Sequence, residues 1–218
     1  MGNKRLVMLI DINRCIGCHA CAVACKANNN LPNEIWWNQV LTHGGKSMDT
    51  PRGQYPNLQL QFLPLACQHC DNPPCVKACP TGATYQADNG IVMMDYDKCV
   101  GCGSCILACP YKYVRQFNEK EPQYMLDFPT GNEGVPAQQK GTVSKCTFCH
   151  TLVAKGETPA CIEVCPVNAR YFGDLTDKES TVFKVLQENQ HLQLLTERGT
   201  NPSVYYLTGR KPQDGHKQ

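Results

Sequence analysis

The sequence predicts an α+β fold in which one small unit of short strands and short helices occurs twice. Sixteen of the 218 residues are cysteines, and they fall into four runs of four with none left over. Runs of two kinds alternate along the chain, which indicates an internal duplication. Short segments rich in β-branched residues lie beside the runs and are typical of strands. The predicted duplicated region is 1–174, with repeat units at 5–96 and 97–174, followed by a C-terminal tail at 175–218.

The third run has the most informative spacing. Residues 99–110 read CVGCGSCILACP, which is C-x2-C-x2-C-x3-C followed by proline. This is the spacing of [4Fe-4S] ligands in bacterial ferredoxins, where the fourth cysteine ligates the other cluster of a pair. Gly101 and Gly103 carry no Cβ, so the loop can curl tightly and direct N–H groups at sulfur. The run therefore predicts a bacterial-ferredoxin-like fold around [4Fe-4S] clusters.

The other three runs are variants of this one. The first run has the same spacing, and Asp11 and Asp95 precede the first and third runs at equivalent positions. The second and fourth runs have longer gaps before their third cysteine, and each continues with proline and a segment ending in tyrosine. The fourth run therefore looks like the second with an insertion. Run by run, the cysteines are Cys15, Cys18, Cys21 and Cys25; Cys67, Cys70, Cys75 and Cys79; Cys99, Cys102, Cys105 and Cys109; Cys146, Cys149, Cys161 and Cys165.

Disulfide bonds and structural zinc are the alternative uses of so many cysteines. Disulfide frameworks are typical of short secreted chains, and cysteines two residues apart are poorly placed to pair with each other. Zinc would suit the C-x2-C pairs, but not a third cysteine two residues later and a proline after the last. The spacing favours iron–sulfur clusters over both.

Strand and turn signals lie next to the runs. The segment 5–12 is rich in Val, Ile and Leu and predicts a strand. Residues 83–86 and 91–95 predict a hairpin around a turn at 87–90, and 169–172 is the matching strand of the second unit. Apolar side chains alone would not fill the interior of such units. We therefore expect the clusters to complete the core and folding to depend on metal.

Two inserts and the tail lie outside the repeat. Residues 28–64 contain two tryptophans, and residues 117–142 are rich in proline and glycine. Each is either a surface loop or a docking surface for a partner, and the aromatic residues favour docking more strongly for the first. In the tail, Thr176 indicates a helix start and 204–207 predicts a strand. We expect the tail to be a structural clasp or a subunit contact.

Charge and hydropathy exclude other classes of protein. The formal net charge is +2, and no basic block of the kind that binds nucleic acid stands out. No apolar run reaches the length of a membrane span. Residues 1–10 carry two basic residues and a short apolar segment, but they lack a small-residue cleavage site and Asp11 interrupts them. They therefore predict a strand rather than a signal peptide.

Charged residues and histidines beside the cysteines have two interpretations. The cations can raise the potentials of individual clusters, or they can be ordinary surface charges. The histidines are expected around the clusters or at an interface, because complete cysteine sets leave no vacancy for a further ligand. The cations are Arg14, Lys26, Lys77, Lys98, Lys112 and Lys145, and the histidines are His19, His69 and His150.

Four runs in this order, with the long gap in the fourth, resemble the four-cluster iron–sulfur subunits of molybdopterin (bis-MGD) oxidoreductases. That family includes the electron-transfer subunits of dimethyl sulfoxide, polysulfide, thiosulfate, tetrathionate and arsenate reductases and of some formate dehydrogenases, and the wider group includes catechol dehydroxylases. The segments KCTFC at 145–149 and PAC at 159–161 are also similar to the family. The resemblance covers residues 5–174.

The resemblance implies four [4Fe-4S] clusters in one cross-paired body. Runs one and four pair and runs two and three pair, consistent with the ferredoxin rule for the fourth cysteine. The implied ligands are Cys15, Cys18, Cys21 and Cys165 for cluster 1; Cys25, Cys146, Cys149 and Cys161 for cluster 2; Cys67, Cys70, Cys75 and Cys109 for cluster 3; and Cys79, Cys99, Cys102 and Cys105 for cluster 4.

The implied function is that of an electron-transfer subunit with no catalytic residues of its own. It would relay single electrons through four clusters to or from a molybdopterin catalytic subunit in an anaerobic reductase or dehydrogenase complex. A membrane anchor subunit or a soluble electron donor is the further partner. A free-standing polyferredoxin is the alternative, and an enzyme with an open iron is disfavoured by complete cysteine sets. We expect a cytoplasmic location, or a periplasmic one by co-export with the catalytic subunit, at the membrane face.

Overall fold

A four-stranded sheet lies at the centre of the protein. The computed structural model describes residues 4–211 apart from 44–46, 48, 127 and 129. In spatial order the strands of the sheet are β10 (Arg170–Asp174), β1 (Leu6–Asp11), β12 (Val204–Arg210) and β11 (Asn189–Leu192). β1 is antiparallel to β10 and parallel to β12. The sheet therefore joins the strand before the first cysteine run to the strand after the last one.

β1 is central because both of its faces are buried. Val7 and Leu9 are 0% exposed and pack against α6 (Thr181–Glu188). Met8 and Ile10 belong to the core on the other side, which contains cysteines of the first and fourth runs. A strand covered on both faces reads as a continuous apolar run rather than an alternating one. The strand predicted at 5–12 is thus confirmed.

The tail packs into the same core. α6 begins after Ser180, whose hydroxyl oxygen accepts a hydrogen bond from the backbone N–H of Phe183 at 3.2 Å, which is a normal N-cap. β12 contributes Tyr206, which is fully buried and donates its hydroxyl to the carbonyl oxygen of Pro64 at 2.9 Å. The predicted strand of the tail is present. The predicted helix is also present, but it begins after Ser180 rather than at Thr176, whose hydroxyl donates to Asp174 instead. A contact of the tail with another subunit stays a prediction.

Two-stranded sheets make up the remaining strand structure of the described residues. The hairpin predicted after the second run is present as β6 (Thr84–Gln86) and β7 (Val92–Met94). The other pairs are β2 (Asn38–His43) with β5 (Gln61–Ala66), β3 (Arg52–Gln54) with β4 (Asn57–Gln59), and β8 (Arg115–Phe117) with β9 (Val143–Lys145). The insert at 28–64 therefore contains strand structure, and β8 and β9 bracket the insert at 117–142.

Short helices lie inside the cysteine runs. They are α1 (Ala20–Asn28), α2 (Pro74–Lys77), α3 (Ser104–Leu107), α4 (His150–Val153) and α5 (Ala160–Glu163). All but α4 contain the third cysteine of a run, and the fourth cysteine follows it by one helical turn. α1 packs against α5, and α2 packs against α3. Runs one and four are therefore neighbours, as are runs two and three.

Candidate iron–sulfur centres

All sixteen cysteines lie in the described part of the chain, and all are free thiols. A disulfide framework is therefore not the use of these residues. Among residues 4–211, leaving out the six undescribed positions, no three His, Cys, Asp or Glu side chains are grouped to hold a single metal ion.

Cysteines of runs one and four line one cavity. Ile10 and Arg170 are register partners in the β1–β10 pair, so the loop after β1 and the loop before β10 leave the sheet at the same end. The cavity lies between these two loops. Its cysteines are Cys15, Cys18, Cys21 and Cys165. Four thiols from two distant runs thus converge there.

Cysteines of runs two and three line a second cavity. Contact between α2 and α3 brings these runs together, and residues Thr84 and Met94 of the β6–β7 hairpin form one wall. Its cysteines are Cys79, Cys99, Cys102 and Cys105. The fourth cysteine of run two is therefore beside the first three of run three.

Of the remaining eight cysteines, seven are buried and one, Cys109, is half-buried. Cys25, in α1, is 5% exposed; burial raises the pKa of its thiol well above the usual value, and Cys146, Cys161 and Cys149 raise it further by charge repulsion. Burial also raises the pKa of Cys109 to about 11, with repulsion from Cys67 among the further causes. Thiolates repel only where they are close. Cys25 thus lies near the fourth run.

Cys70 is another buried cysteine of the second run. Burial raises the pKa of this thiol to about 12, and repulsion from Cys67 and Cys75 adds to the rise. Repulsion from Cys75 also acts on Cys109. The last cysteine of run three is therefore close to the first three of run two.

Hydrogen-bond donors point at several of the sulfurs. The backbone N–H groups of Thr84, Phe148 and Ala169 donate to the sulfurs of Cys79, Cys146 and Cys165 at 3.4, 3.4 and 3.3 Å. Burial raises the pKa of Cys79, but the donors around its sulfur, the Thr84 backbone first, outweigh burial and lower the pKa to about 7. Such donors stabilise thiolate, which is the metal-binding form of cysteine.

The cations predicted to lie near the clusters have different surroundings. Lys26 donates to the carbonyl oxygens of Pro32, Asn33 and Ile35 and lies 4.3 Å from the ring centroid of Trp36. It therefore anchors the start of the first insert rather than facing sulfur.

Lys98 also faces away from the cysteines. It is exposed and pairs with Asp95 at 2.9 Å. Among the others, Arg14 donates to the Tyr171 hydroxyl, Lys77 donates to Asn72, and Lys112 is exposed. Lys145 is the exception, because it is 0% exposed and lies among cysteines.

The three histidines also differ from one another. His69 is 0% exposed, stacks on Phe148 at 3.7 Å between ring centroids, and accepts a hydrogen bond at Nδ1 from the Val92 N–H. Burial holds the pKa of His69 well below its usual value, so the ring is neutral. His19 precedes α1 in a left-handed conformation, and His150 begins α4. His69 is therefore a packing residue beside the second and fourth runs.

Sequence reasoning missed two buried arginines. Arg170 is 5% exposed and donates from Nη2 to the sulfur of Cys21 at 3.3 Å. Arg115 is 4% exposed and donates from Nη1 to the Thr84 hydroxyl at 3.4 Å. One signal was available, since Arg170 follows Cys165 at the position where Thr84 follows Cys79.

The donor sets fit [4Fe-4S] clusters. Each of the two cavities is lined by four cysteines, N–H groups donate to their sulfurs, and no ligand of another type is needed to complete either set. The fold and these cysteine sets define an iron–sulfur protein of the ferredoxin type.

Comparisons with known proteins narrow the class. Residues 58–125 and 134–175 match the family model of a 4Fe-4S dicluster domain, and residues 14–83 match a second model of the same description. The protein is 50% identical to a putative dimethyl sulfoxide reductase iron-sulfur subunit of Halobacterium salinarum, over 93% of the present sequence and 78% of that relative.

Two further relatives are also subunits of reductases. The arsenate respiratory reductase iron-sulfur subunit ArrB of a Shewanella species is 35% identical, over 93% of the present sequence and 96% of that relative. The thiosulfate reductase electron transfer subunit PhsB of Salmonella typhi is 40% identical, over 81% of the present sequence and 79% of that relative. The protein belongs to the family of 4Fe-4S dicluster proteins that includes these reductase subunits.

Proposed function

We propose that the protein binds four [4Fe-4S] clusters and relays single electrons through them to or from a molybdopterin (bis-MGD) catalytic subunit. The complex would be an anaerobic reductase or dehydrogenase. The observation that carries this proposal is the convergence of cysteines from distant runs on shared cavities, in a protein whose relatives are named as subunits of reductases. Those names also favour a fixed partner over a free-standing polyferredoxin.

The proposed ligand sets are crossed between runs. The lining of the two cavities supports the sets of clusters 1 and 4, and the mutual repulsion of the deeper thiols supports those of clusters 2 and 3. The sets are Cys15, Cys18, Cys21 and Cys165; Cys25, Cys146, Cys149 and Cys161; Cys67, Cys70, Cys75 and Cys109; and Cys79, Cys99, Cys102 and Cys105.

The exposure of the cysteines supports a linear order from cluster 1 to cluster 4. Cys18 and Cys102 are the exposed cysteines of the set, and they belong to clusters 1 and 4. The ligands proposed for clusters 2 and 3 are buried, apart from the half-buried Cys109. Repulsion between Cys146 and Cys67 supports adjacency of clusters 2 and 3. Electrons would then enter and leave at the two exposed ends.

When bound, a [4Fe-4S] cluster accepts and donates one electron at a time. The cysteines of this chain would hold it as thiolates, backbone N–H groups donate to three of those sulfurs, and burial of the two inner sets would keep water from their clusters. Hydrogen bonds and burial of this kind set the reduction potential. No substrate chemistry is assigned to the chain, so its role in the complex would be non-catalytic.

The catalytic subunit is the proposed principal partner, with a membrane anchor subunit or a soluble donor at the other end of the relay. No helix in the described residues has the length and apolar character needed to span a membrane. A position at the membrane face, either cytoplasmic or periplasmic by co-export with the catalytic subunit, is part of the proposal.

The test is anaerobic affinity purification of the tagged full chain from its native host. We expect about 16 iron and about 16 sulfide per chain, four of each per cluster. We also expect a larger co-purified subunit that releases molybdopterin and is reduced or oxidised through the chain. The contrary result is a fully iron-loaded chain that is recovered as a monomer without molybdopterin, under growth conditions that induce the chain. That result would support a free carrier and overturn the proposal.

A further inference from the structure

Three cationic side chains lie in the interior with no carboxylate partner among the described residues. Arg115, Lys145 and Arg170 are 4%, 0% and 5% exposed. The ion pairs of the described residues all join other side chains. An unpaired buried charge is strongly destabilising, so an anion must compensate each one. The groups around these cations are the proposed cluster ligands.

Arg170 lies between the ligands proposed for clusters 1 and 2. Its guanidinium donates from Nη2 to the sulfur of Cys21 and to Oδ1 of Asn38, both at 3.3 Å. It also lines the cavity that contains the cluster 1 cysteines. The strand β10, which carries Arg170, also packs against α5, which carries the cluster 2 ligand Cys161. The cation therefore acts on both sets.

Arg115 occupies the corresponding position between the ligands proposed for clusters 3 and 4. Thr84, the repeat equivalent of Arg170, is too short to reach between them, and Arg115 of β8 donates to its hydroxyl instead. The likeness extends to the neighbouring strand, because Arg115 contacts the sulfur of Met94 at 3.4 Å and Arg170 contacts that of Met8 at 3.6 Å. Each proposed pair of clusters, 1 with 2 and 3 with 4, thus has one buried guanidinium, although different strands supply it.

The packing around Arg115 agrees with this position. Its strand, β8, packs against α3, which carries the cluster 4 ligand Cys105. Met94, whose sulfur Arg115 contacts, packs against the buried core that contains the cluster 3 ligand Cys75. Arg115 therefore faces ligands of both sets.

Lys145 lies between the ligands proposed for clusters 2 and 3. It is the register partner of Arg115 in the β8–β9 pair, so two buried cations stand directly opposite each other. Like charges at opposed positions destabilise a sheet unless anions surround them. The ammonium donates to the backbone carbonyls of Val92 and Cys146. Cys146 is a cluster 2 ligand, and Val92 lies in the same buried core as the cluster 3 ligand Cys75.

We propose that Arg170, Lys145 and Arg115 form a series of buried cations, one at each junction between neighbouring clusters, that compensates cluster charge and holds up the potentials on both sides. This inference rests on the proposed function, since it takes the four ligand sets as given. Reduction adds negative charge to a cluster, and a fixed cation nearby stabilises the reduced form. A cation shared by two clusters acts on both, so it shifts the two neighbouring potentials in the same direction.

The test is an EPR-monitored redox titration of the iron-loaded full chain with Arg170→Gln, Arg115→Gln and Lys145→Gln. Each variant should lower the reduced-to-oxidised ratio of its two adjacent clusters at least tenfold at fixed potential, which corresponds to about 59 mV for a one-electron couple. The other two clusters should change much less. Lys98→Gln is the matched control, because Lys98 is an exposed cation next to Cys99 and should leave all ratios unchanged.

Charge-conserving variants separate charge from shape. Arg170→Lys and Arg115→Lys should keep the wild-type ratios. If Arg170→Gln or Arg115→Gln fails to assemble clusters, iron content decides: full iron in the matching lysine variant supports the need for a positive charge, and loss in both overturns it. Unchanged ratios in the iron-loaded glutamine variants also overturn the inference. A wild-type chain without four clusters would instead contradict the proposed function, so the two failures are distinguishable.

Discussion

The side-chain amide of Asn28 donates to the sulfur of Cys149, with 3.7 Å between Nδ2 and Sγ, although the two residues are 121 positions apart. The next residue, Asn29, donates to the sulfur of Cys25 at 3.6 Å. The end of α1 therefore serves sulfurs of the first and the last cysteine runs. Because of these hydrogen bonds, we expect cluster binding by the first run to depend on the fourth run, and the reverse.

Replacing Asn28 by alanine should lower the potential of cluster 2. The substitution removes a hydrogen bond to a ligand sulfur, and such bonds stabilise the more negative, reduced cluster. Redox titration followed by EPR is the measurement, with Asn33→Ala as the control, since Asn33 is an exposed asparagine of the same segment. An Asn28→Ala protein with full iron and an unchanged potential would show that the contact has no electronic role.

Gly101→Ala should impair the third run far more than Gly103→Ala. Both glycines have a positive φ, at +66° and +73°, so alanine costs about 1–2 kcal/mol of backbone strain at either position. A Cβ on Gly101 would also collide with the backbone carbonyl oxygen of Gly141, whereas a Cβ on Gly103 meets open space. Iron content after purification is the measurement.

Gly103→Ala serves as the matched control for strain alone. We expect it to retain nearly full iron, while Gly101→Ala loses iron from cluster 4. Equal losses in the two variants would mean that the close approach to Gly141 is unimportant.

Leu9→Ala should destabilise the fold by about 2–5 kcal/mol, because the Leu9 side chain of β1 is fully buried against α6. Leu192→Ala, at a leucine that is 43% exposed, should change stability by at most about 0.5 kcal/mol. Anaerobic urea unfolding of the iron-loaded chain measures both. A small effect at Leu9 would show that the tail contributes little to the core.

Sequence patterns within single segments were enough to predict several individual elements of the fold. The cysteine spacing predicted the four runs, and the apolar run predicted β1. The turn at 87–90 predicted the β6–β7 hairpin, and the aromatic stretch at 204–207 predicted β12. What they could not provide is the parallel pairing of β12 with β1, because a long-range register leaves no trace in a single segment.

The strands of the first insert were missed for physical reasons. β2 begins with the buried polar residue Asn38, which donates to the carbonyl oxygen of Cys21 at 3.0 Å. β5 contains Pro64, and proline argues against a strand in sequence-based reasoning. The presence of Asn38 and Pro64 in strands is explained only by the buried contacts that they make in the folded protein.

The buried arginines were missed because a single arginine in a strand usually lies at the surface. Only the folded arrangement shows that Arg170 faces Cys21 and that Arg115 stands opposite Lys145. Lys145 was singled out because it precedes Cys146, but the same reasoning also selected five cations that are not buried. Sequence proximity to a ligand is thus a weak indicator of proximity to a cluster.

The central claim is the crossing of ligands between runs, and iron counting in double variants tests it most directly. Cys165→Ala should reduce iron from about 16 to about 12 per chain, since one cluster of four irons is lost. Adding Cys15→Ala should leave the count at about 12, because both residues would hold cluster 1. Adding Cys149→Ala instead should reduce it to about 8. The reverse pattern, about 8 with Cys15→Ala and about 12 with Cys149→Ala, would contradict the crossed assignment.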